Sequence, residues 1–254
     1  MRVMTYNILE GGVGRIDPLC EVIRPASPDV VVVPEAWDAE LFDRLADRLG
    51  MDSFRAELPG NDRSGIGLLS RWKIRQAVNL GPLSAAFTRG VISAVVEHGD
   101  VCLGVVGVHL HPYERDSDEA IRMAELAALW PLLDDMAKMP HLLLGDFNAH
   151  HPQQPIDVSA APASKQHRIK DNGGRIPRLV IADVLAHGYV DAHAIGREPT
   201  NFQTSFTVSH PAFRVDYIFA SPALAPRVCQ CHVLNSPMAR FASDHLPVVA
   251  ELQA

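Results

Sequence analysis

The strongest constraint on how this chain folds is a series of short, largely apolar runs that each meet a polar group. Val3-Met4-Thr5-Tyr6 leads into Asn7, Val30 to Val33 leads through Pro34 into Glu35, and Val101 to Val108 leads into His109. His141 to Leu144 leads into Gly145-Asp146-Phe147-Asn148, and Ser243-Asp244-His245 stands just before the run Pro247 to Leu252. An unbroken β-branched run such as Val30 to Val33 is typical of a strand buried on both faces. Polar groups just beyond such strands can converge at one sheet edge, where α/β folds commonly hold ligands. Carboxylates, amides and imidazoles at one edge predict a shared site that binds a hard cation and handles a phosphate.

Composition sets the frame for that site. A chain of 254 residues with 47% hydrophobic content can build one large α/β domain or two small ones. No repeat, low-complexity run or linker divides it, so a single domain over 1–254 is expected. No run of about 18 apolar residues is present, so no spanning helix is expected. Met1-Arg2-Val3-Met4 lacks the apolar stretch and cleavage site of a signal peptide. Cys20, Cys102, Cys229 and Cys231 form no Cys-x-x-Cys pair, which fits reduced thiols in a cytoplasmic monomer. A net charge of −7 and a pI near 5.9 argue against broad nonspecific binding to nucleic acid. A carboxylate-rich metal site lowers the total by itself, so the balance does not exclude a nuclease.

The patterning alternates strands and helices. Strands are expected over Arg2 to Ile8, Val30 to Val33, Gly65 to Ser70, Ile74 to Leu80, Val91 to Glu97, Val101 to Leu110 and His141 to Leu144. Four more are expected over Phe202 to Val208, Arg214 to Ala220, Arg227 to Leu234 and Pro247 to Leu252. Helical spacing covers Asp17 to Ala26, Ala39 to Leu49 before Gly50, a long helix capped by Ser117 with Pro131 as a kink point, and Leu179 to His187. Residues 149–178 read as a long irregular stretch whose five cations and two anions give +3. A basic loop of that length is functional or mobile more often than structural. Many strands with few helices imply a sheet-rich sandwich.

Several residues carry chemistry. Glu35 is the sharpest metal ligand, since a divalent cation compensates a carboxylate at a strand end; a solvated acid is the bland alternative. Asp146 can accept a proton or ligate a metal while Asn148 orients oxygen, against the alternative of an Asx turn. Asp244 stands beside His245, a proton carrier near neutral pH. Asp216, inside an apolar strand, needs a partner, either an imidazolium or Arg214 on the same face. His109 and His111 share a face, but oxygen donors elsewhere favour Mg²⁺ or Mn²⁺ over zinc, and His109 suits a donor to phosphoryl oxygen. His150 and His151 are contacts or mere surface.

In order along nearly the whole chain, these segments resemble the endonuclease/exonuclease/phosphatase superfamily. Thr5-Tyr6-Asn7, Pro34-Glu35, Ser64 to Arg71, Val108-His109-Leu110, Gly145-Asp146-Phe147-Asn148, Arg214-Val215-Asp216-Tyr217-Ile218 and Ser243-Asp244-His245-Leu246-Pro247 match its seven motifs. The resemblance implies a four-layer α/β/β/α sandwich of two mainly antiparallel sheets flanked by helices. It implies Mg²⁺ (or Mn²⁺) held mainly by Glu35, with Asn7 and Asp244 supporting the metal and its waters. It further implies Asp146 and His245 as joint general-base candidates, Asn148 orienting water and phosphate, Asp216 holding His245, and His109 stabilising transition-state charge. Two departures stand out: Pro34 replaces the usual Gln, and Leu9-Glu10 replaces an acid two residues after Asn7, which favours one metal over two.

The resemblance fixes the reaction class and leaves the leaving group open. A nuclease or nucleotide-type phosphodiesterase comes first, with basic and aromatic side chains around the site. Arg71, Arg89, Tyr113, Arg115, His150 and Arg168 are the substrate-binding candidates, with Arg63 and Trp72 behind them. A phosphatase or phospholipid phosphodiesterase acting on a small head group is the alternative, and an inactive phosphate-binding module is the second.

Overall fold

A computed structural model describes residues 1–196 and 202–253. The elements in chain order are β1 (Arg2–Thr5), α1 (Ile16–Ala26), β2 (Val30–Pro34), α2 (Ala39–Leu49), β3 (Asp52–Leu58) and β4 (Asn61–Ser70). There follow β5 (Lys73–Asn79), β6 (Val91–His98), β7 (Val101–His109), α3 (Asp116–Asp135), β8 (His141–Asp146) and α4 (Ala163–Asp171). The rest are α5 (Leu179–Ala186), β9 (Val190–Asp191), β10 (Asp216–Ala220), β11 (Val228–Val233), α6 (Pro237–Ala242) and β12 (Val248–Leu252). Among the described residues no helix is long and apolar enough to cross a membrane.

Two six-stranded sheets result, ordered β11-β12-β1-β2-β4-β3 and β5-β6-β7-β8-β10-β9. Every neighbouring pair is antiparallel except β1–β2 and β7–β8. A parallel pair needs a long crossover, and α1 and α3 supply the two. The sheets meet face to face, where Val32 of β2 lies over Gly107 of β7; a Cβ at Gly107 would come within 2.9 Å of it. Helices cover the outer faces. Phe42 of α2 fills the space beside Gly67, and Leu126, Leu129, Val180 and Val184 of α3 and α5 pack with Val106, Leu143 and Phe219. This is the α/β sandwich that the patterning predicts.

The differences from expectation have local causes. β3 escapes the pattern because it is an edge strand with only Ala56 buried. The stretch 149–178 contains α4, whose single buried residue, Ile169, leaves no apolar stripe to read. Arg115, not Ser117, caps α3, because Asp118 reaches back to the Arg115 N–H at 2.9 Å. Pro131 lies inside α3 without ending it. Phe202 to Val208 forms no strand; Phe206 makes isolated bridges to Phe213 and His245.

Gly145 shows how tightly the centre of the second sheet is drawn. At φ 145° a Cβ there would stand 1.9 Å from the Val108 carbonyl oxygen of the parallel neighbour. Gly145→Ala is therefore expected to cost about 3 kcal/mol through overpacking and backbone strain. A chemical denaturation midpoint compared with wild type checks it.

Candidate active site

The two parallel pairs explain why distant polar residues meet. Strands β1 and β2 run the same way, so Asn7 and Glu35 leave the first sheet at one end. Strands β7 and β8 do likewise in the second, with His109 opposite Asp146. Strand β10 is antiparallel to β8 and starts at Asp216, directly opposite Asp146. Strand β12 is antiparallel to β1 with Val248 opposite Thr5, so Ser243 to His245 arrives at the same end. Ser243 Oγ donates to the Asn7 carbonyl at 2.7 Å and fastens that arrival.

One oxygen is the hub. Asp146 Oδ2 accepts from Asn7 Nδ2 at 3.1 Å and faces His109 Nε2 at 3.7 Å and His245 Nε2 at 3.8 Å. Asp146 Oδ1 accepts the Asn148 N–H at 2.9 Å, so the Asx turn and the polar pair coexist. His245 Nδ1 pairs with Asp216 Oδ2 at 2.9 Å. Arg214 instead forks onto Asp191 at 3.1 and 2.6 Å, which leaves Asp216 to the imidazole. The Asn7 amide also donates to Glu35 Oε1 at 3.3 Å, and its oxygen accepts from Leu9 N at 3.0 Å. Asn7 thus turns N–H groups, not its oxygen, towards the two carboxylates. The Asn148 amide donates to the Leu110 carbonyl at 3.0 Å, which holds its side chain at the cleft.

Burial and like charge set the protonation. Burial, with the Asp216 carboxylate adding to it, pushes Asp146 up to about 7 against the pull of His245 and the hydrogen bonds. Burial alone would depress His245, but Asp216, Asp146 and Asp244 outweigh it and hold the imidazole up at about 10. His109 goes the other way: burial first, then the positive charges of Arg89 and His245, keep it well below the usual range. The centre therefore places a neutral imidazole and a cationic one on either side of one carboxylate.

The same cluster suits a cation. Ligand atoms of Asp146, Asp216 and His245 lie within 4.8 Å of one another. Asp216 Oδ1 and Asp244 Oδ1 are buried with no partner among the described residues. Such orphaned carboxylate oxygens are hard donors of the kind a divalent ion takes. Asp216 is engaged by His245 through Oδ2, so within this cluster its Oδ1 and the Asp146 carboxylate are the oxygens open to a cation. Pro34 leaves its neighbours intact, its carbonyl accepting from Ile8 N at 3.3 Å. Glu10 contributes its backbone, whose N–H donates to Glu35 Oε2 at 2.7 Å.

The substrate-binding candidates divide. Arg71 lies at the opposite end of the first sheet: β4 is antiparallel to β2, Ser70 pairs with Val30, and Arg71 N donates to Asp29 O at 2.8 Å. It is not part of the site, and Trp72 shares that far end, 5.3 Å from the His98 ring. Arg89 is half-buried at the mouth, where its charge acts on His109. His150 is buried rather than surface, packed 5.0 Å from Phe213 with Nδ1 unpartnered. Arg168 donates to Glu114 at 2.6 Å and covers the exposed Tyr113 ring at 4.9 Å. Arg115 lies 4.0 Å from Asp171, both of them exposed.

Sequence reading missed two residues here, Phe206 and Ser205, and had a third, Lys165, only as part of the basic segment. Lys165 of α4 pairs with Glu114, lies 4.6 Å over the Phe206 ring, and its charge acts on Asp146. Phe206 in turn packs 4.3 Å from His245. Ser205 accepts the backbone N–H groups of Val215 and Asp216 at 3.1 and 3.2 Å and so positions the start of β10. No local signal marks any of them, although the net charge of 149–178 pointed at the right segment.

Residues 4–245 match the model of the Endonuclease/Exonuclease/phosphatase family. No curated protein sequence matches the chain. Among solved structures, an AP endonuclease from Archaeoglobus fulgidus superposes with a TM-score of 0.72 at 18% identity, over 100% of each chain. A 3′-5′ exonuclease from Neisseria meningitidis gives 0.71 at 21% identity over 100% of each chain. The 3′ phosphatase NExo from Neisseria, bound to a product DNA hairpin, gives 0.70 at 21% over 100% of each. At such identities the likeness concerns the fold.

Proposed function

The chain belongs to the endonuclease/exonuclease/phosphatase family, and from that premise we propose a divalent-metal-dependent phosphoesterase, a nuclease or nucleotide-type phosphodiesterase working as one catalytic domain. The observation that carries this reading is the convergence of Asn7, His109 and His245 on Asp146 Oδ2. Bound by Glu35 and Asp244 beside Asp146, Mg²⁺ or Mn²⁺ would withdraw charge from a phosphoryl oxygen. Asp146 takes the proton of the attacking water, and the His245 imidazolium, 3.8 Å from the same carboxylate oxygen, steadies the charge around it. Asp216 fixes the His245 ring by taking its Nδ1–H. Neutral His109 donates from Nε2 to a phosphoryl oxygen and adds no charge that would over-stabilise the bound ester. Asn148, held by the Leu110 carbonyl, keeps a second amide N–H with which to orient that oxygen.

The nucleic-acid class is supported by the solved nucleases and 3′ phosphatase of the same fold, and by the cations Arg89, Lys165 and Arg168 around the mouth. A substrate panel with Mg²⁺ and with Mn²⁺ tests it: plasmid DNA, an abasic-site oligonucleotide, a 3′-phosphorylated oligonucleotide, sphingomyelin and inositol phosphates. Turnover of a DNA or nucleotide ester is expected. Turnover of a lipid or sugar phosphate alone defeats the substrate class, and no turnover at all leaves a phosphate-binding module.

A further inference from the structure

We infer that the cleft beside Glu35 is a nucleobase-binding subsite built on Trp37 and edged by Glu10, Asp62 and Arg63. This rests on the phosphodiesterase reading and specifies what the substrate carries on that side of the reaction centre. The cleft has a volume of about 690 Å³. Its rim shares backbone with the centre: Leu9 N donates to Asn7 Oδ1 at 3.0 Å, Glu10 N to Glu35 Oε2 at 2.7 Å, and Trp37 N to the Glu35 carbonyl at 2.8 Å. A group seated there therefore adjoins whatever is bound at Glu35.

The unengaged groups define the ligand. Arg15 is consumed by the carbonyls of Ile8, Leu9 and Ala242, and Asp38 caps α2 by accepting from Leu41 N. The Glu10 and Asp62 carboxylates make no hydrogen bond or ion pair among the described residues, and the Arg63 guanidinium engages only the Trp37 ring, at 5.7 Å. What the cleft offers is an aromatic face, a planar cation and two carboxylate acceptors. A planar heteroaromatic with ring acceptors and an exocyclic amine uses all of them, stacking on indole or guanidinium. A second phosphate is disfavoured, because two carboxylates face one guanidinium. An alkylammonium head group would meet the guanidinium already held over the indole.

The test is hydrolysis by the full chain, with Mg²⁺ or Mn²⁺, of the p-nitrophenyl esters of adenosine 5′-phosphate, ribose 5-phosphate and phosphorylcholine. Bis(p-nitrophenyl) phosphate controls for the chemistry. The adenosine ester should exceed the ribose ester about tenfold or more in kcat/KM, the worth of one stacked base. Trp37→Ala and Asp62→Asn should each bring that ratio towards one; Asp62 is exposed, so its variant keeps the fold. Equal kcat/KM for the two sugar esters, a preference for the phosphorylcholine ester, or a ratio that neither variant lowers overturns the subsite. No turnover of any ester by folded wild-type protein overturns the phosphoesterase reading and the subsite with it.

Discussion

Replacing Asp146 by Asn should lower kcat on a phosphodiester by about 10³-fold, within the range that a positioned acid–base group contributes. The carboxylate is the one group that Asn7, His109 and His245 all face, so its charge organises the other three. An amide of the same shape keeps an oxygen for the Asn148 N–H but cannot take a proton from water or attract the His245 imidazolium. Because the site is buried and Asp146 is already pushed up to about 7, neutralising it should not unfold the protein. Single-turnover rates with Mg²⁺, alongside circular dichroism of the variant, separate lost chemistry from lost structure. A variant retaining more than about a tenth of wild-type kcat removes Asp146 from the proton path.

Replacing Asp216 by Asn should have the second-largest effect, about 10²-fold or more in kcat, by releasing the His245 ring from its fixed orientation and weakening its hold on the proton. It also carries a stability signature in chelator-treated protein. His245 is raised from 6.5 to about 10 in the fold, so its contribution is fully present below 6.5 and lost as pH rises through 10. Asp146, raised from 3.8 to about 7, works in the same direction at lower pH, since the fold again holds the extra proton. Wild-type unfolding free energy should therefore fall between pH 7 and 10, by up to about 1.4 kcal/mol per pH unit for one proton. In Asp216→Asn that slope should largely vanish, because Asp216 is the foremost of the carboxylates holding the proton on His245. Urea unfolding at a series of pH values reads it directly, and an unchanged slope would place the proton elsewhere.

Much of this centre is legible in the sequence because the ends of buried strands are. The Val30 to Val33 run can only be a doubly buried strand, and whatever follows it emerges at the sheet end where Asn7 also emerges. His109 and Asp146 follow the same rule in the second sheet. Arg71 shows where the rule fails: it too follows an apolar run, Gly65 to Ser70, but β4 runs against β2 and delivers it to the other end. Strand direction depends on partners far away in sequence, so it cannot be read from the run itself. Lys165 and Phe206 were hidden for a related reason. α4 buries only Ile169, and Phe206 belongs to a strap held by isolated bridges, so neither has the periodicity that marks an element. Their placement near His245 is fixed by tertiary contacts, with Glu114 anchoring α4.

The central claim is that these side chains make a metal-dependent phosphoester-cleaving centre, and metal removal tests it most directly. The measurement is the initial rate of phosphodiester hydrolysis by chelator-treated protein before and after addition of Mg²⁺ or Mn²⁺, for wild type and Glu35→Gln. The account predicts no turnover in chelator, recovery of wild type on adding the cation, and little or no recovery of Glu35→Gln at the same concentration. Turnover that survives the chelator, or a Glu35→Gln variant that recovers as fully as wild type, would contradict it.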